Sequence, residues 1–463
     1  MNTYLGQIGD KRLEARALLI EKGLEKSQTT TINKVFNSWS EQMSCYRFFS
    51  NEKVTESSLI SSISNRLKDI VEGKQVLVFQ DTSEYHYQNQ KNKILKGTGL
   101  GETGRYQLGY FMHPSLVLDA EKGNILGLSS FHLWHRNPKR AYDSSKRKDY
   151  EIVDKESYKW ILGIKNSNKV LSKAKKAVYI QDREGDIYET FSEITLGNIT
   201  NGDLLVRSRT DRNIEGGKLY DLVASKKASV QYDFRVRDNK KRTSRLARME
   251  VRFTTAKIKR PSNLSKYGDK YPEYIKVQVV EAKESAASVP DDETPIVWRI
   301  LTTCEVSNWL DAVTVVYWYT LRWLIEELFG LHKSKGFNIE QSGLTTGYAL
   351  RKLGIMSMQA ALKTMQLKQA RDEQNEAPIQ AVFNDEEQEC LADLLPQLEG
   401  NTEKLKNPHN KNLLIWGTWV IARLGGWKGY KSQRPPGLTT LSNGLERFEN
   451  IYQGWSLANS NDI

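Results

Sequence analysis

Apolar residues recur along this chain with two periods, and the change from one to the other marks out its elements. From residue 10 to 72 the spacing is helical: Leu13, Ala17 and Ile20 make one stripe, and Leu59, Ile63 and Leu67 another. Residues 76–79, VLVF, are instead a short apolar run rich in β-branched residues, which predicts a buried strand with Asp81 just past its end. Further strands are predicted at 108–118, turning through His113 and Pro114, and at 125–131. The stretch 154–165, DKESYKWILGIK, opens like a helix with Asp154 as N-cap and Glu156 in the first turn. Residues 177–180 repeat the buried-strand pattern with Asp182 at its end, and 204–206 lead into the basic RSRTDR. Two separate strands thus end in aspartate, where α/β sheets tend to place their active-site groups.

From about 210 to 300 the texture alternates, as in VQYDFRV and YIKVQVVEA, with basic linkers such as RVRDNKKRTSR. This predicts an antiparallel β insertion with one side facing water or a charged ligand. It closes at Pro295 and leads through Trp298 into residues 315–336, where one amphipathic helix is expected. Tyr317, Leu321, Leu324, Leu328 and Leu331 form its apolar stripe. Tyr319, Arg322, Glu326 and Lys333 fall opposite, along about 20 Å of helix. A solvated face is the plain reading. However, only Arg322 is spaced to pair with Glu326, and a lone acid between spread cations also suits a site that holds a metal and grips phosphates. Beyond Gly336 the chain reads as helical through LRKLGIMSMQAALKTMQLKQ. QNEAPIQAVFNDEEQ then forms a polar linker, and 385–459 a further helical unit. The tryptophans of its IWGTWVIARLGGW suit either an exposed protein contact or a hydrophobic core.

Composition narrows the class. A chain of 463 residues with 39% hydrophobic content is that of a folded soluble protein of several domains. Lys and Arg exceed Asp and Glu by 68 to 56, and the resulting +12 points to a polyanionic partner, most often nucleic acid. Cys45, Cys304 and Cys390 are too few and scattered for a disulfide framework or a four-cysteine zinc site, which fits a reducing cytoplasm. The charged N-terminal stretch does not read as a signal peptide, and no apolar run is long enough to span a bilayer, so no membrane partner is expected.

Asp81, Asp182 and Glu326 form the leading chemical set, since Mg²⁺ takes carboxylate oxygens and acids from distant segments can share a metal pair for phosphodiester displacement. His132 and His135 lack a third ligand and read as structural. Gly97, Gly99, Gly101 and Gly104 lack the strand-to-helix context of a phosphate cradle and read as a mobile loop able to approach DNA. No GxSxG or Cys-His arrangement supports a covalent hydrolase. Near the N-terminus Thr29, Thr30, Thr31, Lys34, Trp39, Ser40, Tyr46 and Arg47 stand among short apolar anchors, a composition that suits small helices docking on a duplex backbone. An ordinary helical subdomain would also produce it.

Tyr319, Arg322, Glu326 and Lys333 reproduce the Tyr-x2-Arg-x3-Glu-x6-Lys signature of the insertion-sequence "family four" bacterial transposases, which this chain resembles. QDTSEY around Asp81 and QDREGDIYE around Asp182 are similar to that family's two aspartate motifs. SCYRFFSN, DKESYKW, YWYTLRWLIEE and WVIARLGGW match further pieces in order along nearly the whole chain. The resemblance implies an α/β, RNase H-like catalytic core at 73–370, interrupted by the insertion at 210–300. It implies a helical DNA-end-binding domain at 1–72 and a helical dimerisation domain at 371–463. By motif, Asp81, Asp182 and Glu326 correspond to metal-binding catalytic acids for Mg²⁺, with Mn²⁺ able to substitute. Tyr319, Arg322 and Lys333 correspond to DNA-phosphate contacts, and Trp298 to the residue that stacks a flipped base, although a plain core role would also explain it. The implied activity is cut-and-paste transposition by a homodimer: nicking, hairpin formation and opening at the ends, then 3′-OH attack on target DNA. An RNase H-like nuclease without strand transfer and a non-catalytic DNA-binding transposition inhibitor are the competing readings.

Overall fold

The computed structural model describes residues 4–104, 107–136, 150–236, 242–371, 376–430 and 433–459 of a mixed α/β protein. Five helices come first: α1 (Lys11–Ser27), α2 (Ile32–Val35), α3 (Trp39–Ser50), α4 (Glu56–Ser64) and α5 (Leu67–Ile70). Five strands follow: β1 (Gln75–Gln80), β2 (Ser83–His86), β3 (Gly101–Glu102), β4 (Leu108–Asp119) and β5 (Ile125–Trp134). Next come α6 (Tyr158–Val170), β6 (Lys176–Gln181), α7 (Tyr188–Thr195), β7 (Gly202–Arg207), β8 (Asn213–Ile214), β9 (Gly217–Lys218) and α8 (Leu219–Ala224). Four more strands, β10 (Val230–Val236), β11 (Arg245–Lys259), β12 (Tyr274–Glu284) and β13 (Val297–Thr302), precede the last helices. These are α9 (Trp309–Thr320), α10 (Trp323–Gly330), α11 (Gly347–Ala370), α12 (Asp385–Leu398), α13 (Leu414–Leu424) and α14 (Leu438–Asn459). Among the described residues no helix is long and apolar enough to cross a membrane.

One compact unit comprises Val71–Asp81 and Tyr142–Ile325. Its sheet runs β1-β6-β7-β13-β12-β11-β8-β9, with β10 on β11. β1, β6 and β7 are parallel, and the pairings from β7–β13 onward are antiparallel. The parallel strands are apolar on both faces, as their VLVF and AVYI runs predict. In β11, Ala247, Met249 and Val251 are buried while alternate residues face out, which is the one-sided insertion the alternation predicts. Part of its basic linker, residues 237–241, lies outside the described residues.

The other unit comprises Met1–Ile70, Thr82–Ala141 and Glu326–Ile463. In it β4 pairs antiparallel with β2, β3 and β5. α11 is its central post, buried nearly all round and packed against α1, α3, α4, α13, α14 and β5. A helix buried on nearly every side has little wet face, so its two buried lysines need internal partners. The Lys363 ammonium pairs with Glu387 at 3.3 Å and Glu449 at 3.1 Å, and that of Lys352 donates to the carbonyls of Phe49 and Asn51.

Several expected elements take another form. The predicted 315–336 helix is three pieces: α9, a turn at Leu321–Arg322, and α10 continuing into a π-helical turn at Leu331–Lys335. The apolar stripe drawn for one regular helix therefore loses phase. Tyr317 is 54% exposed, while Tyr319, placed on the polar face, is 7% exposed beside Ala312, Val315 and Val316. The predicted turn through His113 and Pro114 does not interrupt β4; Pro114 stands opposite Phe131 and the bends are bulges just beyond it. Asp154 is no N-cap: it ends a 3-10 turn at Ile152–Asp154, Lys155 is extended, and α6 starts at Tyr158. Trp416 and Trp419 are buried in the core of the C-terminal helices, so they offer no exposed contact. The supposed polar linker places Ala377, Ile379 and Phe383 in that same core, with its first residues outside the described set. The glycine-rich loop, expected to be mobile, is docked on the start of α11, where Thr98 Oγ1 accepts the Gly347 amide at 3.0 Å. His132 stacks on Trp134 at 4.9 Å. The three cysteines are free and buried, and burial pushes the Cys45 and Cys304 thiols up to about 12.

α13 and α14 meet backbone to backbone, because a Cβ at Gly444 would strike the Ile421 carbonyl oxygen. Gly444→Ala is therefore expected to lower the thermal midpoint, costing about 1–3 kcal/mol despite alanine's better helix propensity. Glu25 gives a pH signature. Burial, and then the Glu21 carboxylate, push its carboxyl up to about 7, against the pull of Lys363 and Arg66, with Glu449 also facing it. Between the ordinary glutamate value and about 7 the folded state holds more protons than the unfolded chain, so stability falls as pH rises through that window and then levels off. Glu25→Gln is expected to match the parent at pH ~4 and to melt higher at pH ~8, measured by thermal denaturation.

Candidate active site

The two strand-end aspartates are brought together by sheet register. β1 and β6 are parallel with Val76 opposite Ala177 and Phe79 opposite Ile180, and the same offset, carried two residues past the last paired position, aligns Gln80 with Gln181 and Asp81 with Asp182. Gln181 Nε2 donates to Gln80 Oε1 at 2.6 Å, and both side chains are buried. Neighbouring strands lie about 4.8 Å apart, so the two aspartates follow adjacent strands at the same end of the sheet. Arg322, in the turn after α9, gives Asp81 Oδ2 a guanidinium contact at 3.0 Å. Asp182 Oδ1 accepts the Glu184 amide at 2.8 Å and so caps the 3-10 turn Arg183–Gly185.

That turn is pinned from its far side. The Asp186 carboxylate, fully shielded, accepts from Arg212 Nη2 at 2.5 Å and from the Arg209 amide at 2.8 Å. Gly185 packs directly on Gln181, where a Cβ would meet the Gln181 side chain. The acid and glycine of the DREGD motif therefore fix the chain path that leaves Asp182, a structural role that sequence reasoning had not assigned.

Trp298 is half-buried on β13, opposite Ala282, with its ring edge-to-face against Phe234 at 5.1 Å. On the other face of β13, toward which Val297 and Arg299 point, lies a cleft that sequence analysis missed, lined by Arg183, Arg207, Arg209 and Arg299 with Ser208 and Tyr220. Arg299 pairs with the buried Glu281 at 2.6 Å and lies 4.1 Å from the centre of the Tyr220 ring, while Arg207 Nη2 donates to the Val297 carbonyl at 3.1 Å. The only sequence signal was one arginine after Asp182 and the RSR after β7, which are far apart until β6 and β7 pair. Four guanidinium groups around one cleft suit a phosphate.

The division between units falls inside α10, between Ile325 and Glu326. Asp81, Asp182, Trp298, Tyr319 and Arg322 thus belong to one unit, and Glu326 and Lys333 to the other. Glu326 stands in the first turn of α10 and is half-buried. Lys333 sits in the π-helical turn, where its ammonium donates to the Glu84 carbonyl at 2.5 Å and faces Glu340 at 3.4 Å. Among the described residues no group of three or more His, Cys, Asp and Glu stands close enough together to hold a metal ion. The register-matched aspartates nevertheless fit Mg²⁺ as a donor set, because that ion binds through one or two carboxylates and completes its shell with water and substrate phosphate.

A second surface lies on the N-terminal helices. Phe36, Cys45, Phe48 and Phe49 point inward, whereas Lys34, Trp39 (73% exposed), Ser40, Tyr46 and Arg47 face solvent. Thr30, grouped with them in the sequence, is buried and donates through both its amide and its hydroxyl to the Phe337 carbonyl. The exposed set spans the ends of α2 and α3, with cations, a hydroxyl and aromatic faces available to a nucleic-acid backbone. Residues 6–54, which contain α1, α2 and α3, match the family model for transposase DNA-binding, and this supports a DNA-binding, transposase role for the chain.

Proposed function

We propose that this protein is a transposase with an RNase H-like core. It excises a mobile element by cleavage at its terminal inverted repeats, through a hairpin intermediate, and joins the 3′-OH ends to target DNA. The observation that carries the reading is Asp81 standing in register with Asp182 at one sheet end, in a chain whose first helices match a transposase DNA-binding model. Asp81, Asp182 and Glu326 are the acids that would hold Mg²⁺, or Mn²⁺ in its place. When bound, the ion supplies Lewis-acid stabilisation for phosphoryl transfer.

The chain's own residues position the DNA. The guanidinium of Arg322 carries five donors, enough to keep its contact with Asp81 and still meet a phosphate oxygen. Lys333 and Tyr319 are its companions in phosphate contact, and the arginine cleft on the other face of β13 from Trp298 is a further place to hold a backbone phosphate. Trp298, braced by Phe234, offers a face on which an extruded base stacks. The active species is a homodimer holding two ends, with the 371–463 helices as the contact between copies.

The test uses the purified full chain, Mg²⁺ and duplexes carrying the inverted repeats that border the reading frame. Nicked, hairpin and joined products are expected. Cleavage without hairpins or joining would instead identify a nuclease. Asp182→Ala and Glu326→Ala are each expected to lower nicking about 100-fold or more while end binding persists, since removing a ligand does at least the damage of removing a ligand's support. Loss of binding in either variant, measured by gel shift, would make that acid structural and sink its catalytic assignment.

A further inference from the structure

Lys333 is held by an arrangement that packing alone does not require. Its ammonium lies 5.3 Å from the centre of the Tyr85 ring, donates to the Glu84 carbonyl and faces Glu340. Two of its three donors are thus met inside the unit, and the side chain is 28% exposed. The Tyr85 ring is fixed in turn. It is fully buried, stacked on Tyr110 at 5.2 Å, with its hydroxyl 2.9 Å from His332 Nδ1. On the other side of the imidazole, Nε2 lies 2.7 Å from Ser357 Oγ, which is itself 2.7 Å from the Leu353 carbonyl.

The proton directions in this chain follow from counting donors. The Leu353 carbonyl can only accept, so with the single Ser357 proton directed there Ser357 Oγ accepts from His332 Nε2–H. Nδ1 is then bare and accepts from the Tyr85 hydroxyl. Burial, and then the charge of Lys333, push His332 down to about 3, so the ring stays neutral. The π-helical turn puts His332 inward and Lys333 outward at consecutive positions, so one residue locks the platform and the next uses it.

We propose that Tyr85 is a positioning residue for Lys333: its ring, locked by His332 and Ser357, holds the ammonium ready for a DNA phosphate. This rests on the reading of Lys333 as a phosphate contact. A lysine stem normally loses much rotamer freedom when its head is fixed. Here the face of the ring fixes it before DNA arrives, and the third ammonium donor remains for a phosphate oxygen.

The experiment is a double-mutant cycle on the full chain, with binding of linear duplex DNA bearing the element's terminal repeat measured in a salt series. Lys333→Ala is expected to reduce the slope of log affinity against log salt by about one. Tyr85→Leu is expected to weaken binding nearly as much in the parent but by less than about twofold in the Lys333→Ala background, the non-additivity of residues acting through one another. Tyr85→Phe keeps the ring and is expected to retain most of the affinity. Equal losses from Tyr85→Leu in both backgrounds would overturn the positioning role while leaving Lys333 a contact. If Lys333→Ala changed neither slope nor affinity, the phosphate reading of Lys333 itself would fail. Should Tyr85→Leu not fold, His332→Phe replaces it in the cycle; this variant keeps a buried ring but cannot hold the Tyr85 hydroxyl. A loss confined to the Lys333 background supports the lock, and no loss overturns it.

Discussion

The parallel pairing of β1 with β6 is the constraint on which the candidate site depends. A slip of one residue in a sheet turns every side chain to the opposite face. Here a slip would also part Gln80 from Gln181, leaving buried amides that cost about 1–3 kcal/mol each when unpaired. The hydrogen bond between these two side chains therefore specifies the register as well as adding stability. Asp81 and Asp182 lie one residue beyond it and inherit that alignment. Asp186, held by Arg212, and Gly185, packed on Gln181, then set the direction in which the chain leaves.

Much of this was legible in the sequence. The VLVF and AVYI runs predict their strands because a strand buried on both faces needs an unbroken apolar run, and the aspartates after them are visible as the first charges beyond it. The alternation in β11 is similarly plain, since that strand has one wet face. The 315–336 segment was misread for a definite reason. A helical wheel assumes constant pitch, while this segment changes direction at Leu321–Arg322 and widens at Leu331–Lys335. Tyr317 and Tyr319 exchange environments as a result. The C-terminal tryptophans show another limit, because a helix buried on all sides carries no periodicity to separate core from contact surface.

The charged interior of the other unit could not be read from spacing. Lys363 draws on Glu387 and Glu449, and Glu21 on Arg66 and Tyr4, partners separated by up to 86 residues. Nothing local distinguishes these acids and bases from solvated ones. The arginine cleft is of the same kind: its members come from separate turns and strands, and only the pairing of the sheet reveals that they share a space.

Neither compact unit is a continuous stretch of chain. The helices that match a DNA-binding model belong to a unit whose last segment runs from Glu326 to Ile463. The apolar face of α1, with Ala17, Ile20 and Leu24, rests on α11 and α14. On the ribosome these helices emerge well before α11 and α14, the partners on which they pack. Domains that fold from the N-terminus as they appear can settle piece by piece, but this unit must wait until those distant later helices have been made. Until then the residues intended for DNA and those intended for the core are exposed on the same short stretch of nascent chain.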